Sequence, residues 1–138
     1  MQPIITVQKM IARQRVFFIG ALDEAGFPAI KAMLAPRKKE GVKTLWFSTN
    51  TATQHIAQYT ADPRACVCFY KSLPYRALLL TGRMEILQED AIRRELWRAG
   101  DTKYYPLGVT DPDYSVLKFT AERGRLFANP ASYDFEIE

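Results

Sequence analysis

A mainly β, antiparallel domain that closes into a small split barrel is the fold class predicted from this 138-residue sequence. Three observations predict it. Short apolar runs rich in β-branched and aromatic residues recur along the chain, several with period-2 alternation. Most are joined by turns too short for a crossover helix, so neighbouring strands pair antiparallel. Helical spacing occurs in only two or three brief stretches, which read as plugs for a barrel of six to seven strands.

The elements follow in order. Residues 6–14 carry Val7, Met10 and Ile11 at helical spacing. Residues 15–23 form a strand around Val16-Phe17-Phe18-Ile19, and Asp23-Glu24-Ala25-Gly26 is a hairpin turn with glycine where a positive φ is expected. Residues 28–35 return as the second strand, with Ile30, Ala32 and Leu34 on one face and Lys31, read as exposed, beside Met33 on the other. Residues 36–43 are a polar turn, and 44–49 (TLWFST) a third strand. A helix is expected over 51–61, stopped by Asp62-Pro63. Residues 65–70 are nearly all apolar and read as a strand buried on both faces. A loop over 71–75 leads to a long strand, 76–87, with Gly82 as its bulge. Residues 89–99 form a helix with Glu89 and Asp90 in its first turn and Gly100 just past its end. An aromatic loop (101–113), two late strands (114–120 and 124–128) and a tail (129–138) with one more extended piece complete the chain.

Length and composition bound the function. The chain is the size of one domain, 1–138, and at 48% hydrophobic and 25% charged residues it can bury a core without staples. A disordered chain, a coiled coil and a collagen-like repeat are excluded. No apolar run approaches the ~20 residues of a membrane helix. The opening MQPIITVQKMIARQR has no charged segment before an apolar run, so the expectation is no signal peptide and a cytoplasmic protein. The net charge of +4 is spread out. Its one cluster, Arg37-Lys38-Lys39, runs into Glu40-Gly41 and reads as a solvated hairpin tip, so neither a nucleic-acid nor a membrane partner is expected. A basic barrel with Tyr70, Tyr75 and Lys71 as a stacking platform would need more clustered charge.

Cys66 and Cys68 lie two apart in the apolar run. They face one side of a strand, are poorly placed to bridge, and read as core thiols in a reducing compartment. With His55 as the sole histidine, neither a metal site nor a Cys–His nucleophile pair is expected. Signatures such as GxSxG, the P-loop, HExxH and GxGxxG are absent. What remains is a constellation for an anion and an aromatic plane. Ser48-Thr49-Asn50 end the third strand, a helix begins within three residues, and Lys31 and Arg76 sit on flanking strands. On composition alone, plain N-capping is the favoured explanation of Ser48, Thr49 and Thr53, with Lys31 and Arg76 as ordinary solvated charges.

In this order, FFIGALDEAGFPAIKAMLA, LWFSTNTATQHIAQYTADPRACVCFY, ALLLTGRMEIL, AIRRELW and KYYPLGVTDPDYSVLKF resemble the pyridoxamine-phosphate-oxidase-like superfamily of FMN-binding split barrels, in the branch named for bacterial general stress proteins. The resemblance spans Val16 to about Phe127. It implies a homodimer with FMN at the interface. Lys31, Ala32 and Met33 would line the flavin, and Ser48, Thr49 and Asn50 would meet its ring and ribityl chain. Thr53, Gln54 and His55 would form the phosphate-binding helix start, where the family more often has Lys or Arg. Arg76 and Ala77 would pass the cofactor edge, and Trp97 and Tyr104 would reach the flavin from the partner subunit. The implied activity is an FMN-dependent oxidoreductase or flavin reductase with a nicotinamide cofactor as electron donor. The chain ends in ASYDFEIE rather than in the arginine-rich segment of the true oxidase, so pyridoxamine phosphate oxidation is not implied. The alternative is a non-catalytic, stress-related binder of FMN or of haem, with His55 as the one histidine available to iron.

Overall fold

The structure, a computed structural model, describes residues 3–137; Met1, Gln2 and Glu138, parts of the opening and tail read above, lie outside them. An eight-stranded antiparallel sheet carries the fold. Its elements are α1 (Pro3–Arg13), β1 (Val16–Leu22), β2 (Pro28–Leu34), β3 (Lys38–Glu40), β4 (Thr44–Asn50), α2 (Gln54–Ala61), β5 (Arg64–Ser72), β6 (Tyr75–Leu87), α3 (Asp90–Leu96), β7 (Tyr114–Ala128) and β8 (Ala131–Glu136), with one 3-10 turn at Asp101–Lys103. The strand path is β2-β1-β5-β6-β7-β4-β3, with β8 on β7. The path does not return to its start, so the barrel is split rather than closed.

Several expectations change, beginning with the strand count, which is eight rather than six to seven. The polar turn over 36–43 holds the short strand β3, which pairs Lys38 with Trp46 and Glu40 with Thr44. The two late strands are one, because β7 runs through a bulge: Thr81 pairs with Arg123 and Gly82 with Ala121, leaving Glu122 unmatched. Residues 51–53 precede α2 rather than belong to it, and the helix expected over 89–99 is only Asp90–Leu96. Finally, β5 is buried on one face only. Ala65, Val67 and Phe69 enter the core, whereas Cys66 and Cys68 are half-buried on the outer face as free thiols. Burial still pushes both thiols upward in pKa, which argues against an activated nucleophile.

The main core packs Phe17, Ile19, Leu45, Phe47, Val67, Leu80, Phe119 and Leu126 from the inner sheet face against Val7, Met10 and Ile11 of α1. These three helix residues sit three and four apart, which puts one apolar stripe on the barrel. Tyr59 pins α2 to the sheet: the ring is buried and its hydroxyl donates to the Gly20 carbonyl at 2.9 Å. A second cluster, Trp46, Leu96, Tyr105, Tyr114 and Val116, packs α3 and the aromatic loop on the other face of β4.

The outer sheet face is apolar over four strands. Cross-strand register sets Ala32 beside Phe18, Phe18 beside Cys68 and Cys68 beside Leu79. Ile30, Leu34, Phe27, Tyr70 and Leu79 are exposed, Leu34 by 68%. The alternation of β2 is as read, but its more apolar face points outward and its Lys31–Met33 face inward.

Candidate functional site

Because the sheet does not close, β2 and β4 face each other across a seam without pairing. A groove of about 170 Å³ lies in that seam, lined by Lys31, Ala32 and Met33 of β2, Ser48, Thr49 and Asn50 of β4, and Tyr104 of the aromatic loop. Seven residues expected at one site therefore do come together. β3 pairs only with Thr44, Leu45 and Trp46, so the β4 edge at 48–50 is free on the groove side.

Lys31 is the most informative of these residues. On an antiparallel ladder, paired residues point to the same side. Lys31 pairs with Ile19 and Met33 with Phe17, both core residues, so the lysine points inward. Lysine is rarely placed there without a partner. Among the described residues Lys31 has no ion pair. Its charge reaches His55: burial first, and then Lys31, push the imidazole below its ordinary pKa, against a hydrogen bond with the Ala29 backbone. His55 is therefore neutral at pH 7.

Thr53 occupies the N-cap position of α2 in extended conformation, yet its side chain makes no cap hydrogen bond. Its Oγ1 is buried without a partner, as are Ser48 Oγ, His55 Nε2 and Gln58 Oε1. Among the described residues these are four of five such atoms, the fifth being Arg93 Nε. Buried polar groups are nearly always satisfied, so four orphans within residues 48–58 call for an explanation. N-capping, which the sequence allowed, does not supply it. Asn50 is different, because its amide donates to Asp113 Oδ2 at 2.6 Å and helps hold that carboxyl below its ordinary range.

Other expected residues lie elsewhere. Arg76 lines a separate cleft with α1. Ala77 sits on the outer face in a depression with Phe18, Cys68 and Phe127. Trp97 stacks on Tyr105 and Tyr114, with ring centroids 6.1 and 5.4 Å away, as part of the second core. Tyr104 lines the groove of its own chain. The sequence reading missed Arg37 and Tyr105 in the groove wall. Arg37 is no solvated tip: its guanidinium grips Asp101 through two bonds of 2.8 and 2.9 Å. The cluster pattern carried no signal for this, since Asp101 lies 64 residues away.

The depressed His55 pKa gives a pH prediction. A group harder to protonate when folded contributes stability that is present above its unfolded pKa, near 6.5, and is lost as pH falls from there toward the folded value. The melting temperature should drop across that window, and His55→Asn should flatten the drop. An unchanged slope in the variant refutes it.

The comparisons with known proteins concern this whole architecture. The model of the family described as Pyridoxamine 5'-phosphate oxidase matches residues 5–128. A solved protein of Clostridium acetobutylicum, related to general stress protein 26 and of the pyridoxinephosphate oxidase family, is 35% identical, with 97% of this chain and 94% of that one covered and a TM-score of 0.88. This chain belongs to the pyridoxamine 5'-phosphate oxidase family. It falls in the general stress protein branch. General stress protein 26 of Bacillus anthracis shares the fold at 17% identity, with coverages of 96% and 98% and a TM-score of 0.78. A heme binding protein of Mycobacterium smegmatis does so at 18% identity, with 94% of this chain and 55% of that one covered and a TM-score of 0.75. No curated protein matches the chain. Among the described residues, no helix is long and apolar enough to cross a membrane.

Proposed function

We propose that the chain binds FMN in the seam groove, as a homodimer, and works as an oxidoreductase that takes electrons from a nicotinamide cofactor. The observation that carries this reading is the inward Lys31, without a carboxylate, in one groove with Ser48, together with the orphaned Thr53 hydroxyl at the start of α2. A phosphate monoester with a ribityl chain and a polar ring edge would satisfy these donors. The α2 start offers Thr53 and a neutral His55 to the phosphate, with backbone N–H groups of the helix N-terminus, whereas Gln54 lines another cleft with Asp23 and Glu24. Ser48 and Thr49 face the ring and ribityl chain, and Met33 and Tyr104 offer apolar and aromatic surface. Bound FMN supplies hydride and electron transfer, so the protein needs no catalytic acid or base. The Lys31 ammonium would favour extra electron density on a ring edge placed near it. Arg76, at its separate cleft, does not share that role.

Size and surface support the dimer. Ligand pockets usually enclose ~300–1,000 Å³, whereas the groove of one chain offers about 170 Å³. β2 lines the groove and also carries Ile30 and Leu34 on the exposed apolar face, which continues across β1, β5 and β6. Such a face marks a protein interface, and a second copy laid on it would wall the groove.

A visible spectrum of the purified protein, before and after adding FMN and desalting, tests the cofactor. Retained flavin absorbance is expected. Lys31→Ala should weaken FMN about tenfold or more by fluorescence titration, and equal affinity would remove Lys31 from the site. Leu34→Asp should give a monomer by light scattering and lose FMN retention with it. A dimer that persists in this variant moves the interface elsewhere. A second reading, haem binding, has one specific observation in its favour: the half-buried His55 with a free Nε2, in a fold shared with a heme binding protein. A Soret band abolished by His55→Ala would select it over FMN.

A further inference from the structure

We propose that the cleft between α1 and the β5–β6 hairpin is a second binding site, for a small molecule carrying a diphosphate. It encloses about 400 Å³. One wall is Lys9 and Arg13, four apart on α1 and so on one helix face. The facing wall is Lys71 and Arg76, directly opposite each other at the end of the β5–β6 ladder. Met10 and Gln14 line the space between.

Like charges at i,i+4 and like charges opposite across a ladder both destabilise. This cleft has one pair of each. Among the described residues seven ion pairs engage Arg37, Lys38, Arg64, Arg83, Arg93, Lys118 and Arg125, and none engages a cation of the cleft. The sequence supplies no acid nearby on either wall: residues 3–22 and 65–84 contain neither Asp nor Glu. Four converging cations left without a carboxylate fit an anion from outside. One phosphate matches the two cations of one wall in charge, whereas two linked phosphates match all four. The aliphatic stems of the cations and Met10 leave room for a compact organic body, and the volume is that of an ordinary ligand pocket. The inference goes beyond the flavin reading and does not depend on it, since the seam groove shares no lining residue with this cleft.

The test is calorimetric titration of the full chain with inorganic pyrophosphate at low ionic strength. We expect saturable binding at one site per chain that weakens as salt rises. Arg13→Gln/Lys71→Gln, one residue from each wall, should weaken it at least about tenfold. Without ligand this variant should melt no lower than the parent, because repulsion has been relieved. If it does not fold, Lys9→Gln/Lys71→Gln serves instead. Its FMN affinity should be unchanged. Absence of saturable binding, or binding untouched by the variant, overturns the site. So does a parallel loss of FMN affinity, which would make the cleft part of the flavin site, or a single-stranded oligonucleotide that outcompetes pyrophosphate. Pyrophosphate binding by a protein that takes up no FMN upholds the cleft and removes the flavin reading.

Discussion

Asp101→Ala will cost the protein about 3–5 kcal/mol, the range for removing one partner of a buried ion pair. Asp101 is only 4% exposed. Its two oxygens accept from the Arg37 guanidinium at 2.8 and 2.9 Å, and Oδ2 also accepts from the Arg98 N–H at 2.9 Å. Arg37 in turn donates to the Leu96 carbonyl at 3.1 Å. The pair thus ties the β3 approach to the end of α3 and to the turn that opens the aromatic loop. Truncation leaves a half-buried guanidinium with one neutral acceptor. It also loosens the wall that Tyr104 and Tyr105 give the groove. The Arg37 hydrogen bond is the largest cause holding the Asp101 carboxyl below its ordinary pKa. Its contribution is therefore present above the unfolded carboxyl pKa of about 4 and is lost as pH falls through the folded value. Parent and variant should differ widely in melting temperature at pH 7 and converge in acid. Arg37→Met/Asp101→Leu should recover much of the loss, since an apolar pair carries no desolvation cost. A variant melting within about 2 °C of the parent at pH 7 would falsify this account.

Gly82→Ala will be nearly as severe, at about 3 kcal/mol and roughly 10 °C in melting temperature. Gly82 stands where β6 and β7 shift register around Glu122. A Cβ there would overlap the Thr120 carbonyl oxygen and lie 2.9 Å from the Ala121 Cα. Both obstacles are backbone, held by the flanking ladder, so neither can rotate away. The bulge itself is anchored, because Ile137 N–H donates to the Glu122 carbonyl at 3.1 Å. Gly26→Ala provides the contrast. Gly26 has φ +84 and nothing within 4 Å of its added Cβ, so only the left-handed backbone penalty of about 1–2 kcal/mol applies. Comparable melting temperatures for the two variants would show that crowding at the bulge is not what Gly82 relieves.

Much of the site was legible in order but not in direction. The period-2 pattern of β2 separated Lys31 and Met33 from Ile30, Ala32 and Leu34. Alternation defines two faces and does not say which meets the core. The more apolar set looked like the inner one. Pairing with Phe17 and Ile19 turned the lysine inward and left an apolar face for solvent or a partner. Ser48 and Thr53 were visible as hydroxyls before a helix. Whether they cap it depends on side-chain geometry that no spacing encodes. Arg76 was assigned to the cofactor edge because its strand passes there. Its register opposite Lys71 puts it at the other cleft instead.

By itself, then, the sequence determined what acts between near neighbours. It set the strand and helix periods, the Gly26 turn, the interruption at Gly82 and the absence of acid around Lys9, Arg13, Lys71 and Arg76. The tertiary structure decided everything that depends on residues distant in the chain. It set β2 across from β4 at the seam, Arg37 onto Asp101, and α1 against a hairpin about sixty residues later. The physical reason is that periodicity and turn chemistry are local, whereas the order of strands in a sheet is chosen by which faces bury together.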